Sequence, residues 1–327
     1  MNVLGIETSC DETAASVVGP QGVLSDVVHT QEVHAAYLGV VPELASRAHV
    51  EKVTAVTRAA LDQAGVDRPD AVAATAGPGL IGAVLVGLSF GKSLALGWDV
   101  PFVGVNHLEG HLLSPLLEPR SPAFPFLALV VSGGHTALYL ARSLGDYETL
   151  GETADDAAGE AYDKVARMLG LGYPGGPAVD RLAATGDPAA VALPRPRSPH
   201  GPLGFSFSGL KTAVRQHLQG PAPALDADVC ASFQAAVIDV LCTRLTRAVA
   251  RTGVDRVAVA GGVAANSGLR TRLAELADRG AFSVTVPPRS RCTDNGAMIA
   301  HAGRLRLVGG QRDPLSTAAR PTWQPGT

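Results

Sequence analysis

The stretch FLALVVSGGHTALYLA, residues 126–141, decides the fold. Its apolar opening, FLALVV, runs into a glycine-bearing polar turn, SGGHT (132–136), and the chain returns as ALYLA (137–141). An unbroken apolar run of this length, bounded by turn residues, reads as a buried strand. The same plan stands near the start of the chain: NVLGIET (2–8), the polar turn SCDET (9–13), then AASVVG (14–19). A strand–polar turn–strand unit that recurs further along predicts two related lobes, an internal duplication.

Strands and helices alternate around these two hairpins. Residues 43–65 carry Val50, Val53, Thr57, Ala60, Leu61 and Ala64 at helical spacing. Asp70–Thr75 reads as a strand, Leu80–Leu96 as a helix, and PFVGV (101–105) as a strand; NHLEGH (106–111) opens the next helix. Further helices are expected at Gly159–Leu169, Asp228–Thr252, Ser267–Arg279 and Asp294–Leu307, with strands at VAVA (257–260) and SVTVP (283–287). Such alternation means an α/β fold. The first lobe is expected to take residues 1–118 plus 297–327 and the second 119–296. The tail from Gly309 is rich in Gly, Pro and Arg and is expected to be loose.

A length of 327 residues suits two domains. Aromatics make up only 5%, so the cores must be built from Ala, Val and Leu. The net charge of −3 argues against a generally basic nucleic-acid binder but leaves room for local patches. Cys10, Cys230, Cys242 and Cys292 form no C-x-x-C pair, which fits reduced thiols in a cytosol. MNVLGIETSCDET lacks the basic and apolar regions of a signal peptide, and the apolar run from Leu80 to Phe90 is shorter than the ~20 residues of a membrane span. A cytoplasmic chain with no membrane contact is expected.

NHLEGHLLS (106–114) carries His107 and His111 four positions apart, with Glu109 between them. On a helix these two imidazoles share a face and can point at one ion; they can equally be polar residues opening a surface helix. The zincin pattern needs a glutamate directly after the first histidine, and Leu108 stands there. Glu109 lies about 160° around the helix from each histidine, which leaves a metallopeptidase base poorly placed. Asp294, in RCTDNGAMIA, is a third ligand or an N-cap, and the two roles are compatible. His34, His49 and His301 are rival ligands without a spacing argument.

Two glycine-rich turns suit anions. SGGHT leaves backbone N–H groups free, and GGVAAN (261–266) joins a strand to a helix N-terminus. Each is also an ordinary tight turn; together, one in each half of a likely cleft, they favour nucleotide binding. GPGLIG (77–82) matches the dinucleotide fingerprint but sits in the wrong element, so close helix–sheet packing is expected there. In GEAYDKVARMLG (159–170), Glu160, Asp163 and Lys164 either complement a helix dipole or meet ribose hydroxyls. From Pro188 to Leu225 there is no Asp or Glu, while Arg195, Arg197, Lys211, Arg215, His200, His217, Phe205 and Phe207 are present. That strip fits a nucleic-acid contact or a solvated Pro-rich loop.

With these pieces in place the chain resembles, over nearly its whole length, the TsaD (Gcp/YgjD, Kae-related) family of tRNA threonylcarbamoyladenosine transferases. GIETSCDETAASVV, GVVPELASRAHVE, TAGPGLIGAVLVG, NHLEGHLLS, LVVSGGHTALY, GEAYDKVARMLGLGYPGGP, FSFSGLKTAV, GGVAANSGLR and CTDNGAMIA carry the resemblance, in order. It implies the two-lobed actin/Hsp70/sugar-kinase (ASKHA) fold with duplicated lobes and a nucleotide-binding cleft. It implies transfer of a threonylcarbamoyl group from threonylcarbamoyl-AMP to the exocyclic amine of the adenosine beside the anticodon, in tRNAs reading codons that begin with A. His107, His111 and Asp294 are then ligands of one Fe2+ or Zn2+ per subunit. Val131, Ser132, Gly133, Gly134 and His135 face the phosphate and acyl part, Asp163, Gly176 and Asp180 the ribose, and Gly262 and Asn266 the adenine. Arg195, Arg197, Lys211 and Arg215 are offered to tRNA, and no protein nucleophile is required. Archaeal relatives add a tyrosine ligand near the strand before SGG; FLALVVSGGH has none before the turn. A TsaB-like paralogue and a TsaE-like ATPase are the expected partners. The alternatives are a metal-dependent glycoprotease, the family's older label, and an ATPase of the same fold.

Overall fold

The computed structural model describes residues 1–326. By backbone contacts it divides into two compact units, Met1–Ser121 joined by the segment that begins at Asp294, and Pro122–Thr293. The divisions fall three residues later and three residues earlier than the sequence boundaries 118/119 and 296/297. The second shift has a local cause: Asp294 bonds His111, and Asn295 caps a helix that packs on the first sheet.

In the first unit β1 (Val3–Glu7), β2 (Glu12–Gly19) and β3 (Gly22–Thr30) form an antiparallel meander. Helix α1 (Pro42–Ala64), β4 (Ala71–Gly77), α2 (Ile81–Trp98), β5 (Phe102–Asn106) and α3 (His107–Leu113) follow. β4 pairs parallel with β1 and β5 parallel with β4, giving the order β3-β2-β1-β4-β5. The second unit holds β6 (Phe126–Val131), β7 (Thr136–Ser143), β8 (Asp146–Glu152), α4 (Ala158–Met168), α5 (Gly175–Ala183), α6 (Ser208–Leu218), α7 (Asp226–Thr252), β9 (Arg256–Ala260), α8 (Ser267–Asp278) and β10 (Ser283–Thr285). Its order, β8-β7-β6-β9-β10, repeats the first, with the same antiparallel and parallel pairings. The duplication suggested by the two hairpins is therefore a duplication of whole sheets. Helix α9 (Gly296–Val308) then returns to the first unit.

The first core is made of small and aliphatic side chains: Leu4 and Ile6 of β1, Val17 of β2, Val53 and Ala60 of α1, Val72 of β4 and Leu88 of α2. Helix α1 differs from its sequence reading at one position. Val50 is 64% exposed, and His49 turns inward instead. The buried stripe runs Ala45–His49–Val53–Val56–Ala60, and Val50 stands about 100° off it. His49 is satisfied there: Thr13 Oγ1 lies 2.8 Å from Nδ1, and Nε2 donates to the Cys10 carbonyl at 3.0 Å. Helices α2 and α7 both have the length and hydropathy of a membrane span; α7 is largely buried within its unit, and α2 packs on β4.

Close packing explains the GPGLIG stretch. A Cβ on Gly79 would sit 2.6 Å from the Ser9 carbonyl, and one on Gly82 2.5 Å from Ser46 Oγ. The tail is held, not loose. Asp313 N donates to the Phe102 carbonyl (2.9 Å), Gly104 N to Asp313 Oδ2 (2.9 Å) and Arg320 N to the Ala76 carbonyl (2.7 Å). Asn106 Nδ2 donates to the Trp323 carbonyl at 3.1 Å, and Trp323 packs on the first core. β5 is an edge strand, so its open backbone groups recruit the tail and are covered by it.

Candidate metal centre

β5 runs directly into α3, whose N-cap, Asn106, accepts from Leu108 N (2.9 Å) and Glu109 N (3.2 Å). This cap fixes where α3 starts and so puts His107 and His111 on one face. Their rings meet edge to face, with centroids 4.8 Å apart. Asp294 Oδ1 lies 2.9 Å from His111 Nε2 and 3.7 Å from His107 Nε2. Asp294 is not the N-cap of α9. That place is taken by Asn295, whose side chain accepts from Met298 N at 2.9 Å, and the aspartate faces the imidazoles.

Three potential ligand atoms thus lie within 4.8 Å of one another. Atoms bound about 2.1 Å from one ion, at angles of roughly 90–120°, stand about 3.0–3.6 Å apart. The two imidazole–carboxylate separations, 2.9 and 3.7 Å, straddle that range, and two imidazoles with one carboxylate are a donor set for Fe2+ or Zn2+. Behind His107, Nδ1 donates to Glu7 Oε2 at 3.0 Å, with Ser9 Oγ also at 3.0 Å. Glu7 is fully buried and accepts further from the Thr75 hydroxyl (2.6 Å) and the Ser9 amide. A carboxylate behind an imidazole fixes the ring and its tautomer, here leaving Nε2 toward Asp294. His111 has no such support: its Nδ1 is buried without a partner among the described residues.

The electrostatics follow from this packing. Burial pulls His107 down, but the Asp294 and Glu7 carboxylates outweigh it and lift its pKa to about 9. Burial also works to raise Glu7, and His107 overcomes it, holding the carboxyl below its ordinary value. Without an ion the two carboxylates favour the protonated form of His107, and a metal must displace the proton on Nε2. Burial, together with Asp11, Asp294 and Glu12, raises the Cys10 thiol well above its usual range, so it is no nucleophile. Glu109 is no general base: it is fully buried and bound by the Arg306 guanidinium at 2.6 and 2.7 Å.

In the second unit β6 and β9 are parallel, so SGGHT and GGVAAN leave the same end of one sheet; both turns belong to this unit, and the expectation of one in each half of a cleft is corrected. SGGHT closes on itself through Ser132 N to the His135 carbonyl (2.8 Å) and His135 N to Ser132 Oγ (3.1 Å). A Cβ on Gly133, Gly134 or Gly176 would meet nothing within 4 Å, so those backbones face open space. Asp163 accepts from Gly175 N at 2.8 Å, pinning the start of α5. Asp180 accepts from Ser267 Oγ (2.7 Å), Ser267 N (3.0 Å) and Asn266 Nδ2 (3.1 Å). Asn266 also donates to Gln234 Oε1 (2.6 Å) and caps α8 through Leu269 N (2.9 Å). Gly262 lies beside Thr293, 3.8 Å from an added Cβ. Asp180, Asn266, Ser267 and Gln234 form one network, and SGGHT and GGVAAN stand at the sheet's carboxyl end, where ligands bind in open α/β sheets.

The TsaD family, described as tRNA N6-adenosine threonylcarbamoyltransferase, matches residues 22–301. A tRNA N6-adenosine threonylcarbamoyltransferase of Trichlorobacter lovleyi is 55% identical over 331 aligned positions, covering 99% of this chain and 96% of that one. The chain belongs to the TsaD family. Solved structures with the same fold are far more distant in sequence. T. kodakarensis HypF aligns at TM-score 0.65 and 15% identity, over 94% of this chain and 48% of its own. Component A of the Acidaminococcus fermentans (R)-2-hydroxyglutaryl-CoA dehydratase aligns at TM-score 0.55 and 15% identity, over 94% and 99%. The duplicated sheets are those of the ASKHA fold.

In this TsaD chain the basic strip is narrower than its sequence suggests. Arg195 forks onto Asp239 of α7 at 2.8 and 3.0 Å, and Lys211 pairs with Asp156 at 2.8 Å. Acids from other elements neutralise a stretch that carries none of its own. Phe205 and Phe207 are fully buried, so neither can stack on a base. Arg197 and Arg215 stay exposed. Sequence reading also missed Glu7. Its one signal was a carboxylate closing an otherwise apolar strand, VLGIE, whose every residue is buried.

Proposed function

We propose that this chain carries the threonylcarbamoyl group from threonylcarbamoyl-AMP to the exocyclic amine of the adenosine beside the anticodon, in tRNAs that read codons beginning with A. Its place in the TsaD family is the observation that carries this. His107, His111 and Asp294 would hold one Fe2+ or Zn2+. Bound there, the ion supplies Lewis acidity toward the oxygens of the acyl donor. Glu7 and Ser9 keep His107 aimed, and Asn106 sets the helix that carries both imidazoles.

The acyl donor is a mixed anhydride whose phosphate side is already a good leaving group, so positioning is the main task. Val131 to His135 face the phosphate and acyl part, with the Gly133 and Gly134 backbones unobstructed. Asp163, Gly176 and Asp180 take the ribose side, and Gly262 and Asn266 the adenine side. The Asn266 side chain is already committed to Asp180, Gln234 and Leu269, and its main chain to Val263 and Arg270, which supports a role in shaping that turn. Arg197 and Arg215 are the exposed cations offered to tRNA. With so few, a TsaB-like paralogue and a TsaE-like ATPase complete the assembly, in the cytoplasm, where the free cysteines stay reduced.

The test is nucleoside mass spectrometry of tRNA incubated with the chain, its partners, threonine, bicarbonate and ATP. Threonylcarbamoyladenosine is expected, and His107→Ala or Asp294→Ala should abolish it. Peptide cleavage stopped by a chelator, or steady ATP turnover by this chain without tRNA, would count for the rival activities.

A further inference from the structure

We propose that Glu109 is a positioning residue for the metal centre: with Arg306 it fixes the rotation of α3 against α9, and so the separation at which the two imidazoles meet Asp294. The inference rests on the metal reading given above. Helix α3 has only seven residues, all of them buried, so its rotation is set by what its side chains meet on each face. It touches the C-terminal segment at three points. His111 meets Asp294 just before α9, at 2.9 Å. Gly110 lies against the first turn of α9, where a Cβ would come within 2.9 Å of Ile299 Cδ1 and 3.3 Å of Met298 Cγ. Glu109 receives both the Nε and an Nη of Arg306, in the last turn of α9, at 2.7 and 2.6 Å.

The placement makes the pair a lever. Glu109 projects about 160° around the helix from each histidine, so any roll of α3 that moves the imidazoles must break the ion pair on the far side. A two-pronged guanidinium–carboxylate bond resists such a roll better than apolar contact does, because it is directional. His111 depends on this most. His107 is aimed from behind by Glu7, whereas His111 Nδ1 has no partner among the described residues, so no group behind that ring holds it and its aim depends on the helix and on Asp294 in front. The anchor itself is firm: α9 is wedged where a Cβ on Gly296 would come within 2.5 Å of Ser16 N, and Arg306 is further tied to Gln311 Oε1 at 2.7 Å.

The test reads Zn2+ and Co2+ binding to the purified chain, by competition with a chromophoric chelator and by the Co2+ visible spectrum, beside thermal melts in chelator. Glu109→Gln keeps the shape and loses the charge. It should raise the Zn2+ Kd about tenfold and alter the Co2+ band. The double substitution Glu109→Leu/Arg306→Leu leaves no unpaired charge and should recover the melt, as apolar replacement of buried pairs often does. Its Zn2+ affinity should stay low. Recovery of affinity together with the melt would show that the pair only supports the fold, and would overturn the proposal, as would an unchanged Kd in a folded Glu109→Gln. Should Glu109→Gln fail to fold, Arg306→Lys carries the test. It keeps the charge and loses the fork, with a rise of about threefold expected and no rise refuting the lever. His107→Ala and Asp294→Ala separate the two ideas. If they bind Zn2+ as tightly as the parent, the metal reading fails and the lever with it. If they lose the ion while Glu109→Gln keeps it, the lever alone falls.

Discussion

Glutamine in place of Glu7 should loosen the metal centre without unfolding the chain. Glu7 is fully buried and accepts from the Ser9 amide, the Thr75 hydroxyl at 2.6 Å and His107 Nδ1 at 3.0 Å. Glutamine preserves the shape but has one acceptor oxygen. Turned toward His107, it sets its amide N–H2 against the Ser9 N–H; turned toward Ser9, it sets the same group against His107 Nδ1–H. Either way a buried donor faces a donor, at a cost of about 1–3 kcal/mol. A partner behind a ligating imidazole is commonly worth about 10–100-fold in metal affinity, or roughly 1.4–2.7 kcal/mol, so the two routes agree. Removing the carboxylate also weakens the hold of His107 on its proton, now lifted to about 9, and that favours the ion. The lower end, about tenfold, is therefore expected at neutral pH. Zn2+ competition titrations with a chromophoric chelator measure it, and a melt in chelator checks the fold. A variant that melts like the parent and binds Zn2+ equally well would refute the argument.

Three further outcomes follow from the packing. His301 is 8% exposed and its Nε2 has no partner among the described residues; burial and then Arg304 pull its pKa down to about 4. Its contribution to stability is present above the unfolded value of 6.5 and is lost as pH falls toward that lower value. Between pH 6.5 and 5 the loss is about 2 kcal/mol, and His301→Leu should remove it; parallel urea titrations at pH 7 and 5 that show the same drop in both proteins would contradict this. Arg197→Glu with Arg215→Glu should weaken tRNA binding and flatten its salt dependence in filter assays, while Arg195→Ala, already paired with Asp239, should do little; equal effects would refute the distinction. Truncation after Gly310 removes the residues that cover β5, so the melting temperature should fall and light scattering should rise with protein concentration. A truncated chain as stable and monodisperse as the parent would deny the tail that role.

What could be read from the residues follows from how strongly each signal is local. Long periodic helices and fully buried strands announced themselves, as did the paired histidines, because their side chains repeat at fixed spacings. β3 (GVLSDVVHT) and β8 (DYETLGE) did not: both lie at sheet edges, half in water, and carry no sustained apolar run. α5 and α6 were hidden by Gly175, Gly176 and Pro177 at one start and by the Pro-rich strip before the other. The candidate metal ligands were legible in part. Glu7 and the Glu109–Arg306 pair were not, since each depends on a contact between residues that are remote in the chain, 100 and 197 positions apart. The basic strip misled for the same reason, because Asp239 and Asp156 arrive from elsewhere.

The split first unit has a consequence for how the molecule is made. His111 and Asp294 are 183 positions apart, and the whole second unit is encoded between them. A ribosome adding roughly 5–20 residues per second takes about 10–40 seconds to cover that distance. During that interval the two imidazoles have emerged without their carboxylate, and the sheet beneath them lacks α9. Pro122–Thr293, being contiguous, can fold on its own timetable. The candidate cation site is thus completed only after the second unit has been made, and nascent chains that stall within that unit carry no complete set of ligands to scavenge metal from the cell.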